Sequence, residues 1–219
     1  MTRLIVRQLG NLPYEETWQR MKWFTEKRDA ASYDELWWLE HPPVYTIGQA
    51  GKAEHIIDPM GIPVVNTDRG GDVTYHGPGQ LVGYLLIDIK RLGIDVRTLV
   101  SGIERSLIDF MGKCGVAAMA RKDAPGVYVD GCKVAALGLR VRKGRSYHGM
   151  SLNVDMDLSP FAGINPCGHE GLEVVDLKAL GLPLTIFQAA ALISPIIGVE
   201  FAYDALIHES LNSTEYLDG

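Results

Sequence analysis

Residues 163–171 read GINPCGHEG and hold one of the three cysteines of the chain. Cys167 follows Pro166, which lacks a backbone N–H and stiffens the approach. It precedes Gly168, which permits a sharp turn and close backbone approach to a ligand. A thiol presented this way can act as a nucleophile, with nearby backbone N–H groups serving as an oxyanion hole. A buried core cysteine fits the same letters, because free thiols are common in protein interiors. Cys114, in GKCGV at a helix end, and Cys132, beside a turn, fit that second reading.

Lys133 is the candidate partner. It opens KVAALGLRV, where Ala135, Leu137, Leu139 and Val141 share its parity. Side chains alternate faces along a strand, so Lys133 is expected to head an apolar row. A strand-end lysine that snorkels to water is the ordinary alternative. A free cysteine (pKa about 8.5) and a free lysine (about 10.4) differ by roughly two units, or about 2.7 kcal/mol. Desolvation of an amine closes such a gap, and so does the field of a charged amine on a thiol. The sequence leaves both routes open.

A third stretch, RGGDVTYHGPGQL at 69–81, packs four glycines, a proline and a histidine between two apolar runs. Glycines so dense let backbone N–H groups approach a ligand. Neither dinucleotide nor phosphate-loop spacing is matched. A long hairpin loop and a ligand site remain open, and Arg69 and His76 favour the site. Arg69 either anchors the loop or binds an anion. His76, His148 and His169 are candidate bases, with a structural role expected for His148.

The elements that must position these residues follow from periodicity. Residues 3–8, ELWWLEH, VYTIG and PVVNTD read as strands, with Pro42-Pro43 breaking the second from the third. Pro13 opens a helix with Tyr14, Trp18, Met21 and Phe24 on one face, read as core packing. LVGYLLIDI is a strand. Asp95 caps a helix that turns Val96, Leu99, Val100, Ile103, Leu107 and Phe110 inward and ends at Gly115. Asp130-Gly131 joins two strands as a hairpin. KGR turns into SYHGMSLNVD, and Thr185 caps a late helix over TIFQAAALI. Hairpins outnumber helices, so the fold class is α+β, in one domain over 1–219.

Composition narrows the function. The 219 residues are 47% hydrophobic and 22% charged, ordinary for a globular chain, and the net charge of -6 disfavours nucleic acid as the main partner. No apolar run is long enough to span a bilayer, and the first residues show no signal-peptide core, so a cytoplasmic protein is expected. Three widely spaced cysteines without C-x-x-C, and six histidines without H-x-x-x-H, disfavour disulfides and structural metal.

Taken in order, HPPVYTIGQAG (41–51), RGGDVTYHGPGQLVGY (69–84), GCKVAALGLRV (131–141), HGMSLNV (148–154) and GINPCG (163–168) resemble the octanoyltransferases of lipoate biosynthesis. The resemblance runs over nearly the whole chain. It implies a biotin/lipoate protein ligase-like fold. It also implies transfer of octanoyl from octanoyl-acyl carrier protein to a lysine on lipoyl domains, those of 2-oxoacid dehydrogenase E2 subunits and of the glycine cleavage H protein. It makes Cys167 the acyl-thioester residue and Lys133 its partner. The substrate would be lined by Arg69, Gly70, Gly71, Asp72, Val73, Thr74, Tyr75 and His76, by Ala136, Leu137 and Gly138, and by Gly149, Met150 and Ser151. The chain departs from the family pattern at Asp72 (more often Gln or Glu), Ala136 (often Ser) and His169 (often aromatic).

A thioester donor already carries its activation, so no ATP, metal or organic cofactor is expected. Chain length would be set by an apolar slot, for which Gly83, Ala135, Ala136 and Gly138 leave room. Arg140, Arg142, Lys143 and Arg145 form a basic run that either steers an acidic carrier or is simply a solvated strand end. A monomer is expected. Three rivals stand beside this reading: an ATP-dependent lipoate or biotin ligase, a cysteine thioesterase using His76 or His169, and a non-catalytic carrier-binding scaffold.

Overall fold

The computed structural model describes residues 2–165 and 172–210. Its largest element is an eight-stranded sheet in the order β11-β1-β2-β6-β10-β9-β8-β7. These strands are β1 (Arg3–Asn11), β2 (Asp34–Glu40), β6 (Gln80–Leu86), β7 (Met119–Ala120), β8 (Gly126–Val129), β9 (Cys132–Arg142), β10 (Arg145–Asn153) and β11 (Ala205–Ser210). β1 runs parallel to both β2 and β11, and the other pairs are antiparallel. Beyond Pro42-Pro43, which can give no N–H to a ladder, the chain leaves this sheet. It enters a second, three-stranded one ordered β4 (Val64–Asn66), β3 (Val44–Ile47), β5 (Val73–His76). The architecture is the α+β class expected.

Among the described residues three helices cover the large sheet. α2 (Val96–Lys113) and α3 (Ile186–Glu200) lie on one face, where Leu99, Ile103, Leu107, Phe110, Ala189 and Ile193 pack with Leu4, Leu36, Leu85 and Leu152. α1 (Tyr14–Lys27) takes the other face through Met21, against Trp37, Val82, Tyr84 and Tyr147. The α2 cap is as expected: Asp95 accepts from Thr98 N at 2.7 Å. At the other end Gly115, at φ 81, lets Val116 N reach back to Met111 O. Val96, the first residue of α2, does not turn inward; it is 45% exposed. Thr185 and Gln188 form a reciprocal capping box. α3 then runs past Ile193 and through Pro195, further than its opening apolar run suggested. Among the described residues no helix is long and apolar enough to cross a membrane.

Candidate active site

The hairpin that carries Lys133 turns as its sequence requires. Asp130 and Gly131 both hold positive φ (49 and 88), the two-residue turn that matches strand twist. Val129 then faces Cys132, and Tyr128 faces Lys133, but Val127 faces Ala135. Val134 is therefore an extra residue on β9, a β-bulge. Directly opposed residues in an antiparallel pair share a face, and Val127 and Val129 lie in the core under the helices while Tyr128 does not. Lys133 thus shares the face of Tyr128, Gly126 and Ala136, the side away from α2 and α3. The row it was expected to head, Leu137, Leu139 and Val141, packs with Ala135 on the opposite side. The bulge is the reason: one inserted residue reverses the parity on either side of it.

On its face Lys133 is 4% exposed. Its Nζ lies 5.3 Å from the centre of the Tyr128 ring, within cation–π range. A small pocket surrounds it, lined also by Thr74, Gln80, Ser151, Asn153 and Phe161. Thr74, Ala136 and Ser151 line both this pocket and a larger cleft, of about 470 Å³ including its mouth, which lies between the large sheet and the glycine-rich loop. The three stretches 69–76, 136–138 and 149–151 meet on that cleft. Two of their residues do not reach it. Gly70 is turned against Leu139, donating N–H to its carbonyl at 2.9 Å. Tyr75 packs into the core of the small sheet with Tyr45 and Phe161. Gly83 does not line the slot either, because alternation along β6 gives Val82 and Tyr84 the cleft side and leaves Gly83 against the Trp38 ring.

The loop is held by Arg69. Its guanidinium donates to Thr46 Oγ1 (3.0 Å), Thr46 O (2.7 Å), Asp72 O (2.6 Å) and Gly70 O (3.0 Å). Of its two expected roles, the geometry assigns it the anchor. Residues 48–50 add backbone bonds to 69–72, from Gly48 to Asp72 O, Gln49 to Arg69 O and Ala50 to Gly71 O. Gly138 completes the seat, since a Cβ there would stand 2.8 Å from Gly70 O. Asp72 ties the loop outward, its Oδ2 lying 2.7 Å from His55 Nδ1.

Much of the cleft lining is built from polar rings. His41 Nδ1 lies 2.6 Å from Leu12 O, so it must donate, and Nε2 then accepts from Tyr84 Oη at 2.7 Å. Burial holds His41 down to about 4. His76 Nδ1 donates to Gln80 Oε1 at 2.7 Å, and Gln80 Nε2 continues to Asn153 Oδ1 at 3.0 Å. Burial, then the neighbouring His41, hold His76 down to about 3, far below what a general base at neutral pH needs. His148 holds φ 59. In regular strand it would point away from Tyr147; the left-handed turn brings both rings to one face, 5.1 Å apart. Its Nε2 lies 3.0 Å from Asp68 Oδ1, and the same carboxylate accepts from Trp18 Nε1 (2.8 Å) and from the Tyr147 hydroxyl. Burial pushes the Asp68 carboxyl up, but the bonds from His148 and Tyr147 outweigh it and leave it well below the usual carboxylate range. Tyr14, read from sequence as core, lines the cleft, and burial raises it to about 12 against the pull of Arg69 and Thr67. Asp68, Tyr14, His41 and Tyr84 were not singled out by sequence. Asp68 directly precedes the stretch 69–84, while His41 and Tyr84 are end residues of the stretches 41–51 and 69–84, and that position was the available signal.

Cys167 and His169 lie outside the described residues. The chain on either side is fixed by backbone bonds, on the downstream side directly to Lys133. Asn165 N–H donates to His55 O at 2.8 Å. Lys133 N–H donates to Glu173 O at 2.8 Å, and Val175 N–H to Lys133 O at 3.0 Å. The basic run is partly neutralised, since Arg142 pairs with Glu26 at 2.6 Å and Arg145 approaches Asp88 at 3.7 Å, while Arg140 bonds the neutral Gln49 amide.

Comparison with known proteins gives this geometry its relatives. A family model described as the lipoyl protein ligase A/B catalytic domain matches residues 13–194. The chain is 58% identical over 205 residues to an octanoyltransferase of Shewanella amazonensis, covering 94% of this chain and 95% of that one. It is 62% identical over 185 residues to one of Stutzerimonas stutzeri, covering 84% of each. Among solved structures it is similar to a Thermoplasma acidophilum protein described as a lipoate protein ligase with bound lipoic acid, at a TM-score of 0.77, 14% identity and 99% and 93% coverage. That likeness is one of fold.

Proposed function

This chain belongs to the lipoyl protein ligase A/B catalytic family and to the octanoyltransferases, and from that premise we propose that it carries octanoyl from an acyl carrier protein to a lysine of a lipoyl domain through Cys167. In the first half-reaction the Cys167 sulfur attacks the carbonyl carbon of the donor thioester. The carbon–sulfur bond to the carrier breaks, and the proton lost by Cys167 passes by way of Lys133 to the departing carrier thiol. In the second, the acceptor amine attacks the acyl-cysteine, the new carbon–sulfur bond breaks, and an amide remains. The amine's proton returns to Cys167 by the same route. Thioester exchange is near-balanced, so the first half needs orientation and oxyanion stabilisation more than driving force. Amide formation from a thioester runs downhill.

The observation that carries this reading is Lys133. It is a buried amine, turned by a bulge onto the cleft side, with its own backbone bonded to Glu173 and Val175 just beyond the Cys167 stretch. The Ser151 and Thr74 hydroxyls around it can donate to a developing oxyanion, while the Gln80 amide is already given to Tyr75 O and Asn153 Oδ1 and holds the wall in place. The cleft accepts the acyl chain, with Ala136 and Gly138 leaving it room. We place the protein in the cytoplasm, where acyl carrier protein is loaded, acting as a single-domain monomer on transient protein partners. The decisive experiment mixes the protein with octanoyl-acyl carrier protein and weighs it. A gain of one octanoyl group, absent in Cys167→Ala and discharged by a lipoyl domain without ATP, is expected. Normal transfer by Cys167→Ala overturns the mechanism, and ATP-dependent use of free octanoate overturns the reaction.

A further inference from the structure

Two polar atoms in the lining of the cleft, His148 Nδ1 and Tyr14 Oη, make no hydrogen bond of normal length among the described residues, Thr67 acting on Tyr14 only from beyond that length. Both side chains are almost fully buried, at 1% and 4% exposure, and both line the cleft. The tautomer of His148 follows from its other nitrogen. Asp68 as a carboxylate can only accept, so Nε2 carries the proton, and in the neutral ring Nδ1 is a bare acceptor. Tyr14 Oη can donate or accept. An apolar chain end satisfies neither atom, and buried polar atoms are rarely left without a partner.

The distance fits the substrate. Ser151 stands beside the Lys133 pocket, and His148 lies three residues back along β10, a span of about 10 Å. An extended eight-carbon acyl chain advances roughly 1.2 Å per bond and so reaches about 8 Å. Its last carbon reaches the level of His148 along β10, in the cleft that Tyr14 also lines.

We propose that this part of the cleft is a polar subsite, and that it admits medium-chain acyl groups bearing an O–H on or next to the last carbon. The hydroxyl hydrogen would go to His148 Nδ1 and its oxygen would accept from Tyr14 Oη. The proposal rests on the acyl-transfer reading for the direction of the chain, not for the existence of the subsite. The test therefore has a binding arm and a transfer arm. Calorimetry on the intact chain compares octanoate with 8-hydroxyoctanoate, for the wild type, Tyr14→Phe and His148→Phe. Transfer from the two corresponding acyl-carrier thioesters is measured in parallel.

An all-apolar end rejects an added hydroxyl by up to about 100-fold. The subsite predicts that wild type binds and transfers the hydroxy chain within about threefold of the plain one. It also predicts that Tyr14→Phe shifts that ratio about tenfold against the hydroxy chain. Rejection of 8-hydroxyoctanoate by the wild type near 100-fold overturns the subsite, as does a ratio that Tyr14→Phe leaves unchanged. If His148→Phe fails to fold, Tyr14→Phe alone decides, since it removes a single oxygen. Retained binding preference without any octanoyl transfer would instead count against the acyl-transfer reading and leave the subsite standing.

Discussion

Lys133 faces Tyr128 across a two-strand ladder that Val134 interrupts, and this single inserted residue decides which side of the sheet the amine occupies. Without the bulge, Lys133 would share a face with Leu137 and Leu139 and put a charge among core side chains. With it, the amine opens into the pocket shared with Thr74 and Ser151. Bulges beside active sites re-aim side chains in this way.

Replacing the amine while keeping the stem is the cleanest test. Lys133→Met should keep the fold, because the new side chain fills similar space against Tyr128. Octanoyl transfer should fall by about 10²–10⁴-fold, the range for losing a proton-transfer group. Stopped-flow measurement of carrier thiol release, alongside a urea melt, checks both. Transfer within tenfold of wild type in a folded Lys133→Met would remove Lys133 from the chemistry.

Gly138 supports the cleft from below by letting β9 meet the glycine-rich loop. A Cβ at this position lies 2.8 Å from Gly70 O and near the Arg69 side chain, so Gly138→Val must push the loop off its seat. Overpacking of this kind costs about 1–3 kcal/mol. The urea midpoint should drop accordingly and KM for the octanoyl donor should rise. A variant with unchanged midpoint and unchanged KM would show that the loop does not sit on β9 in solution.

The sequence disclosed this site unevenly, for physical reasons. Strand and turn chemistry were legible: Asp130-Gly131 demanded a hairpin, Asp95 and Thr185 were caps, and Pro42-Pro43 marked where the chain changes sheets. The cleft stretches around Arg69, Ala136 and Gly149 were also legible, by resemblance and by glycine density. The bulge was not. Parity counts assume an unbroken ladder, and nothing in CKVAALG announces that Val134 has no partner. Gly83 was misplaced through the same kind of counting, since small size says nothing about face. Tyr14, His41 and Asp68 escaped because their roles depend on rings and carboxylates brought together from α1, β6 and β10. The parallel strand β11 escaped because its polar run ALIHES lacks a clear period of two.

Arg69 should matter for architecture first. It sends hydrogen bonds to the carbonyls of Thr46, Gly70 and Asp72, all from a 7% exposed side chain. Arg69→Met leaves those carbonyls without their charged donor, and hydrogen bonds to charged groups contribute about 1.5–3 kcal/mol each. Loss of roughly 3 kcal/mol is expected, with Arg69→Lys recovering only part because an ammonium lacks the planar fork. Equilibrium urea unfolding measures this directly. If Arg69→Met were as stable as wild type but unable to bind the donor, the anion-binding role would replace the anchoring one.

The buried histidines set the behaviour in acid. His41 is held down to about 4 and His76 to about 3, both from an ordinary value of 6.5, chiefly by burial. Above about pH 7 each ring is neutral folded and unfolded, so neither affects stability there. Between pH 6.5 and the folded values the unfolded chain binds protons that the folded chain refuses. Stability must therefore fall as pH falls, by up to about 1.4 kcal/mol per pH unit for each ring. Asp68, held low by His148 and Tyr147 against the cost of its burial, acts in the same direction at lower pH, losing its contribution as its carboxylate is protonated. Urea midpoints at pH 7.5, 6.5, 5.5 and 4.5 should stay level over the first interval and drop over the next two. His148 is lowered by burial too, so His76→Gln should flatten that drop by about a third. A level midpoint down to pH 4.5, or an undiminished slope in the variant, would mean that the rings are hydrated in solution and that the cleft around them is open to water.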